Sequence, residues 1–342
     1  MSKPVARLTT PAQMVASLPL QLGYVPTESL VVCCLHEPRG RVGLTMRFDL
    51  PAIALEDHLT SEVVDRVRDQ RASRVLIVVY TSEADGPTLP RTDLVAGLEA
   101  MLSDLRRAEL FLVRDGRVWT YFCSLPCCPP EGRPVREADG SGPVQLLAAE
   151  NVLQGRVVLA DRKALEDSLA GPVDAEARVA RERCEIAATL LADAIEEAGL
   201  DVAAAASLQG WRATRTRVAN PPWQLADMEA TALAVSLVLV SVRDVLVASP
   251  LHEIPSLLGL LHELVRRTPA PYDAPVCTLL AWLTYCQGGG AVVTIALGRA
   301  LATDRDYSMA KLLDKALAAQ LPPEQLRRVT RGERSLRRRR AS

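Results

Sequence analysis

RVLIVVY, residues Arg74 to Tyr80, is an uninterrupted apolar run in which most side chains are β-branched. A run of this kind is typical of a strand that is buried on both faces of a sheet. Upstream, residues 55 to 71 place Leu and Val at helical spacing, and downstream, residues 91 to 108 predict a second helix. The alternation of helix and strand indicates a sheet that is covered by helices.

Hairpins are predicted on both sides of this strand. Residues 29 to 35 and 42 to 50 are rich in strand-forming side chains and are separated by a charged turn sequence at residues 37 to 40. Farther along, Asp115 and Gly116 stand between two short β-rich runs, which is a strong hairpin signal. We therefore expect a mixed sheet and not a purely parallel one.

The second half of the chain has a helical pattern throughout. The predicted helices span residues 174 to 198, 201 to 217, 223 to 247, 252 to 267, 275 to 287, 291 to 302 and 307 to 319. The fold class is therefore α/β, or α+β overall, with a mixed β-sheet and flanking helices in the N-terminal half and an all-helical C-terminal half.

Chain length predicts two domains. The chain has 342 residues, which exceeds the roughly 250 to 300 residues at which a single core usually stops growing. We expect an α/β domain at residues 1–170 and a helical domain at residues 171–326. Residues 327–342 are predicted to be a disordered basic tail, because eight Arg and one Glu lie between 327 and 340. With a net charge of -1 for the whole chain, the remaining part is acidic.

Composition and targeting signals predict a cytoplasmic protein. The composition, with 49% hydrophobic and 24% charged residues, is that of a globular protein. The N-terminus lacks the pattern of a signal peptide. The longest apolar run, residues 230 to 242, is shorter than the roughly 20 residues that span a membrane. Eight cysteines without an export signal indicate a reducing compartment.

Three motifs carry a family resemblance. They are LGYVPTESLVV at residues 22 to 32, RFDLP at residues 47 to 51, and CSLPCCPPEG at residues 123 to 132. In this order they resemble a largely actinobacterial family catalogued as domain of unknown function 4192, and the similarity continues through residues 275 to 301. The resemblance covers most of the chain but implies no activity, substrate or cofactor.

The sharpest candidate site is the cysteine cluster of Cys123, Cys127 and Cys128. Thiolates at the end of a strand, in a loop stiffened by prolines, are possible zinc ligands, although the sequence shows no fourth ligand. Neighbouring thiols are also compatible with thiol–disulfide exchange. The simplest alternative is that the three thiols pack a loop against the sheet.

A second candidate site consists of Glu28, Arg47 and Asp49. Arg47 and Asp49 share one face of a strand, where charged groups must be paired or solvated. The three residues are candidates for a polar pocket at the edge of the sheet. Alternatively, Glu28 closes a structural ion pair with Arg47 across the hairpin.

The sequence supports three hypotheses on function. Because the catalytic templates G-x-S-x-G and H-E-x-x-H are absent, we favour a non-enzymatic interaction or regulatory protein. Under this hypothesis, the helical half binds a protein partner and the α/β half is a scaffold or a ligand sensor. The first alternative is a metal-binding or thiol-redox protein with zinc at the cysteine cluster. The second is a nucleic-acid-associated protein whose tail contacts phosphates, with the candidate residues Arg337, Arg338, Arg339 and Arg340.

Overall fold

A computed structural model describes the chain outside the following residues. They are 1–5, 39, 85, 87, 106–107, 124, 127, 136–141, 154–155, 219–224 and 329–342. The chain divides into two compact units, Met1–Arg162 and Lys163–Ser342. The division lies close to residue 170, where the sequence analysis placed the change from α/β to helical structure.

The first unit is built on a mixed sheet of six strands in the order β2-β1-β3-β4-β5-β6. The strands are β1 (Ser29–His36), β2 (Arg41–Asp49), β3 (Arg74–Tyr80), β4 (Ala108–Arg114), β5 (Arg117–Thr120) and β6 (Arg133–Pro134). β3 and β4 pair in parallel, whereas the other neighbours pair antiparallel. The predicted mixed sheet is thus confirmed.

Helices cover both faces of the sheet. They are α1 (Pro11–Leu22), α2 (Glu56–Asp69), α3 (Thr92–Met101) and α4 (Gly142–Leu153). Ile77 and Val79 of β3 pack toward α2 and α3, whereas Leu76 and Val78 pack toward α1. Because every second side chain of a strand points to the same face, the run of apolar and aromatic residues from Val75 to Tyr80 fits a strand that is buried on both sides.

Two crossovers in the same direction explain the position of α2 and α3. The chain passes from β2 through α2 to β3, and then from β3 through α3 to β4. Right-handed crossovers in one direction place their helices on one face of the sheet. α1 takes the other face. It begins at Pro11, where Thr10 Oγ1 accepts a hydrogen bond from the Gln13 amide at 3.2 Å, and it ends before Gly23 in the left-handed conformation.

The second unit is helical. Its helices are α5 (Arg162–Ser168), α6 (Asp174–Ala198), α7 (Leu200–Val218), α8 (Asp227–Ser236), α9 (Val240–Val247), α10 (Ile254–Arg267), α11 (Asp273–Cys286), α12 (Ala291–Thr303) and α13 (Ser308–Ala318). α11 lies at the centre of one large apolar core, since the side chains from Asp273 to Thr284 are all buried. The all-helical second half is confirmed.

The prediction of a single helix for residues 223–247 is wrong. α8 and α9 are separate helices that meet at an angle of 94°. Leu237 and Leu239 lie at the bend and are buried in the core, so that tertiary burial overrides local helix propensity there. Among the described residues, no single helix is long and apolar enough to cross a membrane, and α8 and α9 meet that criterion only as this bent pair.

Candidate functional site

The parallel strands β2, β3 and β4 end at one edge of the sheet, which we call the carboxyl edge. The antiparallel strand β1 begins at the same edge. In open α/β sheets, ligands bind outside the carboxyl ends of the strands. A functional site is therefore expected at the carboxyl edge.

Glu28 is bound to the residues that follow β3. Its Oε2 accepts a hydrogen bond from Thr81 Oγ1 at 2.8 Å, and its Oε1 accepts hydrogen bonds from the Ser82 amide at 2.6 Å and from Ser82 Oγ at 2.8 Å. Partial burial raises the pKa of Glu28, but the hydrogen bonds from Ser82 and Thr81 outweigh that effect and lower the pKa overall. Glu28 thus holds the start of the β3–α3 loop as an ionised carboxylate.

Arg91 holds the other end of the same loop. Its side chain is 10% exposed and forms ion pairs with Glu56, which is also 10% exposed, and with Glu83. Its Nη1 also donates to the Pro51 carbonyl at 2.9 Å. One guanidinium therefore joins the end of β2, the start of α2 and the loop between β3 and α3.

Arg47 and Asp49 pair with each other. Arg47 Nη1 lies 2.5 Å from Asp49 Oδ1, and Arg47 Nε donates to Ser29 Oγ at 2.8 Å. The alternative ion pair between Glu28 and Arg47 is wrong, because the described contacts of the Glu28 carboxylate go to Thr81 and Ser82. The Asp49 side chain is 84% exposed, whereas that of Arg47 is only 11% exposed, so the carboxylate of this pair faces solvent and the arginine is largely buried.

A cleft of about 520 Å³ lies along the free edge of β5. β6 pairs only with Arg117 and Val118. Among the described residues, Trp119 and Thr120 therefore pair with β4 on one side and have no strand on the other. The described lining comes from the start of α1, the β3–α3 loop, β5 and the segment that leads into β6. It consists of Pro11, Gly86, Thr88, Leu89, Val118, Trp119, Thr120, Cys123, Cys128, Pro129, Pro130 and Arg133. The volume lies within the range of small-molecule pockets, roughly 300 to 1,000 Å³.

Hydrogen bonds to β5 hold the cysteine- and proline-rich wall of the cleft. Trp119 Nε1 donates to the Pro130 carbonyl at 2.8 Å. Arg117 donates from Nε to the Glu131 carbonyl at 2.6 Å and from Nη2 to the Gly132 carbonyl at 2.8 Å. Because three consecutive carbonyl groups of this wall are bound to β5, the sheet itself holds the wall in place.

Tyr121 ties the opposite wall to the sheet. Its hydroxyl donates to the Pro90 carbonyl at 2.6 Å. Arg114 reaches the same loop by donating from Nη1 to the Glu83 carbonyl at 2.6 Å, and its Cζ lies 5.1 Å from the centre of a Trp119 ring. The β3–α3 loop is thus held by Glu28, Arg91, Arg114 and Tyr121.

Strained backbone marks the surroundings of the cleft. Glu28, Arg91 and Phe122 have φ angles of 41°, 59° and 55°. Such left-handed conformations cost about 1–3 kcal/mol each in residues with a side chain, and they occur preferentially at ligand sites. Phe122 immediately precedes Cys123 and is 57% exposed as a residue, so burial of Phe122 does not account for its strained backbone.

The structure brings two of the three clustered cysteines to the cleft. Cys123 and Cys128 both line it and are half-buried, whereas Cys127 lies outside the described residues. In the described part of the chain, no group of three or more His, Cys, Asp or Glu side chains could hold a metal ion. Zinc at Cys123, Cys127 and Cys128 therefore stays a prediction. The four candidate residues Arg337 to Arg340 also lie outside the described residues.

The other buried cysteines belong to the core, as expected. Cys33 and Cys34 lie on opposite faces of the sheet, and burial raises their pKa values to about 11 and about 12. Burial likewise raises the pKa of Cys184 to about 11 and that of Cys277 to about 12. A thiol that stays protonated and buried is unreactive, which separates these four from the two cysteines of the cleft.

The most enclosed ion pair of the helical unit is structural. Arg299 Nε donates to Asp273 Oδ2 at 2.8 Å. Its other donors reach the carbonyl groups of Leu169 at 2.8 Å, Val265 at 2.9 Å and Thr268 at 2.7 Å. Because four of its five N–H groups donate within the chain, this guanidinium braces the helices.

Apart from Cys123 and Cys128, sequence reasoning missed the residues that line the cleft. It also missed Thr81 and Ser82, which bind Glu28, although polar residues that directly follow a buried parallel strand are expected at the carboxyl edge. Trp119 and Arg133 had no such signal. Both depend on β6, a strand of two residues that sequence periodicity does not detect.

The family comparison matches nearly the whole chain. The family model described as "Domain of unknown function (DUF4192)" matches residues 11–324. This range covers most of both units and the complete described lining of the cleft. Neither the search of curated proteins nor that of solved structures found a match.

Proposed function

The chain belongs to the family described as domain of unknown function 4192, and we propose that it is a non-enzymatic regulatory protein. In this proposal, the first unit senses a small molecule in the cleft along β5, and the helical unit contacts a protein partner. The observation that carries it is the preorganised cleft itself. Its two main walls are fixed by hydrogen bonds to the sheet.

The chemistry of the lining supports binding over catalysis. General acid–base catalysis uses groups such as carboxylates or imidazoles within reach of the reacting atom. The described lining residues include two thiols and one guanidinium but no Asp, Glu or His. The polar residues that the structure does bring together at the carboxyl edge, such as Glu28 and Arg91, are engaged in holding the β3–α3 loop.

Three exposed apolar residues on α6 support the proposal that the helical unit binds a protein partner. Val179, Ile186 and Leu190 are 43%, 53% and 60% exposed. They are seven and four residues apart, so they lie on one side of the helix. Exposed apolar groups that adjoin one another are typical of surfaces that bind other proteins.

Filling the cleft tests the ligand part of the proposal. Thr88 lines the cleft and is exposed, so that Thr88→Trp should occupy the cleft without disturbing the core. Thr189→Trp, at an exposed position of α6, is the matched control. Both variants and the unmodified protein are screened by thermal shift against nucleotides, amino acids, keto acids and fatty acids.

We expect at least one of these classes to stabilise the unmodified protein and Thr189→Trp but not Thr88→Trp. A ligand at concentration c that binds the folded state raises the apparent stability by RT ln(1 + c/Kd), so the stabilisation grows with the logarithm of its concentration once the site is nearly saturated. If every compound stabilises all three proteins equally, or none of them, the cleft is not the binding site.

A further inference from the structure

Among the described lining residues, Arg133 carries the only charged side chain. It is half-buried, and within the described part of the chain its guanidinium has no hydrogen bond or ion pair. An arginine that is partly removed from water gains strongly from a bidentate bond to a carboxylate or phosphate. Arg133 is thus an available cation in an otherwise uncharged cleft.

The structure fixes the position of Arg133. Its backbone pairs with Val118 on β5, and the preceding carbonyl group, that of Gly132, accepts a hydrogen bond from Arg117 Nη2 at 2.8 Å. The side chain therefore projects from a rigid strand and not from an open loop. A preorganised donor loses less entropy when it binds a ligand.

The neighbouring charge also favours an anion. The described hydrogen bonds of Arg117 go to the backbone carbonyl groups of Glu131 and Gly132, so they leave its positive charge without a carboxylate partner. Arg114 places a further guanidinium 5.1 Å from the centre of a Trp119 ring. Neither residue lines the cleft, but both contact residues that form its wall, and positive charge beside a cleft raises the local concentration of anionic ligands.

The rest of the lining is suited to an apolar group. Leu89, Val118, Trp119, Pro129 and Pro130 contribute carbon surface. Cys123 and Cys128 add thiols, which behave as small hydrophobic groups when they are protonated. A ligand that matches both features has an apolar body and an anionic head.

Building on the proposed sensing function, we propose that the ligand of this cleft is an amphipathic anion. Its carboxylate or phosphate group binds Arg133, and its apolar part lies against Trp119, Pro129 and Pro130. This inference names the ligand class and the residue that selects it. It can fail even if the cleft does bind small molecules.

Two dyes that differ in one group provide the test. 8-Anilinonaphthalene-1-sulfonate carries an anionic group, whereas N-phenyl-1-naphthylamine has the same aromatic body without it. Both are titrated by fluorescence into the full-length protein, Arg133→Gln, Arg41→Gln and Thr88→Trp. Arg41 is exposed on the far edge of the sheet and controls for the loss of one positive charge.

We expect Arg133→Gln to weaken binding of the sulfonate dye about 10-fold, since a charge-assisted hydrogen bond contributes about 1.5 kcal/mol or more. Binding of the neutral dye should change less than about twofold, and Arg41→Gln should leave both dyes unchanged. Equal effects of Arg133→Gln on both dyes would overturn the inference and leave the cleft as a binding site. Dye binding that Thr88→Trp does not reduce would contradict the proposed function itself.

Competition then identifies the anionic head. Octanoate and octyl phosphate are added to the complex with the sulfonate dye, with octanol as the uncharged control. Displacement by octanoate or by octyl phosphate, but not by octanol, supports the inference, and the stronger of the two identifies the group. Displacement by octanol at the same concentrations overturns it.

Discussion

Gly132 lies so close to Trp119 that a Cβ atom on Gly132 would stand 2.5 Å from Cε2 of the indole. The φ angle of Gly132 is 71°, which is in the left-handed region that favours glycine. The absence of a side chain at Gly132 therefore permits both the backbone turn and the position of the ring. This contact holds the wall of the cleft against β5.

Gly132→Ala should destabilise the first unit by about 2–4 kcal/mol. The left-handed backbone and the steric clash both contribute to this cost. Gly259→Ala is the matched control, because Gly259 is exposed within α10 with nothing within 4 Å of an added Cβ. It should stabilise the protein by about 0.5–1 kcal/mol. Urea unfolding measures both, and a neutral Gly132→Ala would refute the account of this contact.

Arg91→Met should cost about 3 kcal/mol in the free energy of unfolding, because it leaves the buried carboxylate of Glu56 without its partner. Arg66→Met removes an exposed ion pair with Glu62 on α2 and should cost at most about 0.5 kcal/mol. The double variant Arg91→Met with Glu56→Gln should be more stable than the sum of the single effects indicates. Strict additivity would contradict the proposed clamp.

The sequence identified those elements whose signals are local. β3 spans Arg74–Tyr80, as the apolar run predicted. Asp115 and Gly116 form the predicted hairpin turn, because both adopt positive φ angles, of 49° and 71°. α6 spans Asp174–Ala198 as predicted and stops before Gly199, whose φ of 88° does not suit a helix.

Features that depend on distant parts of the chain could not be predicted. The bend at Leu237 is stabilised by burial in a core assembled from several helices. Glu28 accepts hydrogen bonds from Thr81 and Ser82, which lie more than 50 positions away in the chain. Arg47 is closer in sequence, and for this reason it was the predicted partner. Helix α1, in contrast, does have a local signal in the sequence, because Thr10 is a capping residue and a proline follows at the first helical position.

Glu28 should make stability depend on pH in the acidic range. Its folded-state pKa lies below the ordinary value of 4.5, so its contribution is complete above that value and is lost as the pH falls through the folded pKa. Glu28→Gln should therefore be less stable than the unmodified protein at pH 7, and the difference should shrink below about pH 4.5. A difference that stays constant from pH 7 to pH 3 would contradict this role.

Cys123 and Cys128 should react with Ellman's reagent before the core cysteines do. Both line the cleft, whereas Cys33, Cys34 and Cys277 are fully buried with raised pKa values. Serine substitution at either position should remove one fast-reacting thiol from the native protein. Rapid modification that persists in the Cys123→Ser, Cys128→Ser double variant at the same stoichiometry would show that other cysteines are the accessible ones.

The central claim is that a ligand binds beside Trp119, and fluorine NMR of protein labelled with 5-fluorotryptophan tests it most directly. The full-length protein is titrated with 8-anilinonaphthalene-1-sulfonate, and the Trp119 resonance is assigned from Trp119→Phe. We predict that the Trp119 resonance shifts with saturation, while those of Trp211 and Trp282, in the core of the helical unit, do not move. A dye that binds while the Trp119 resonance stays unchanged would contradict the account.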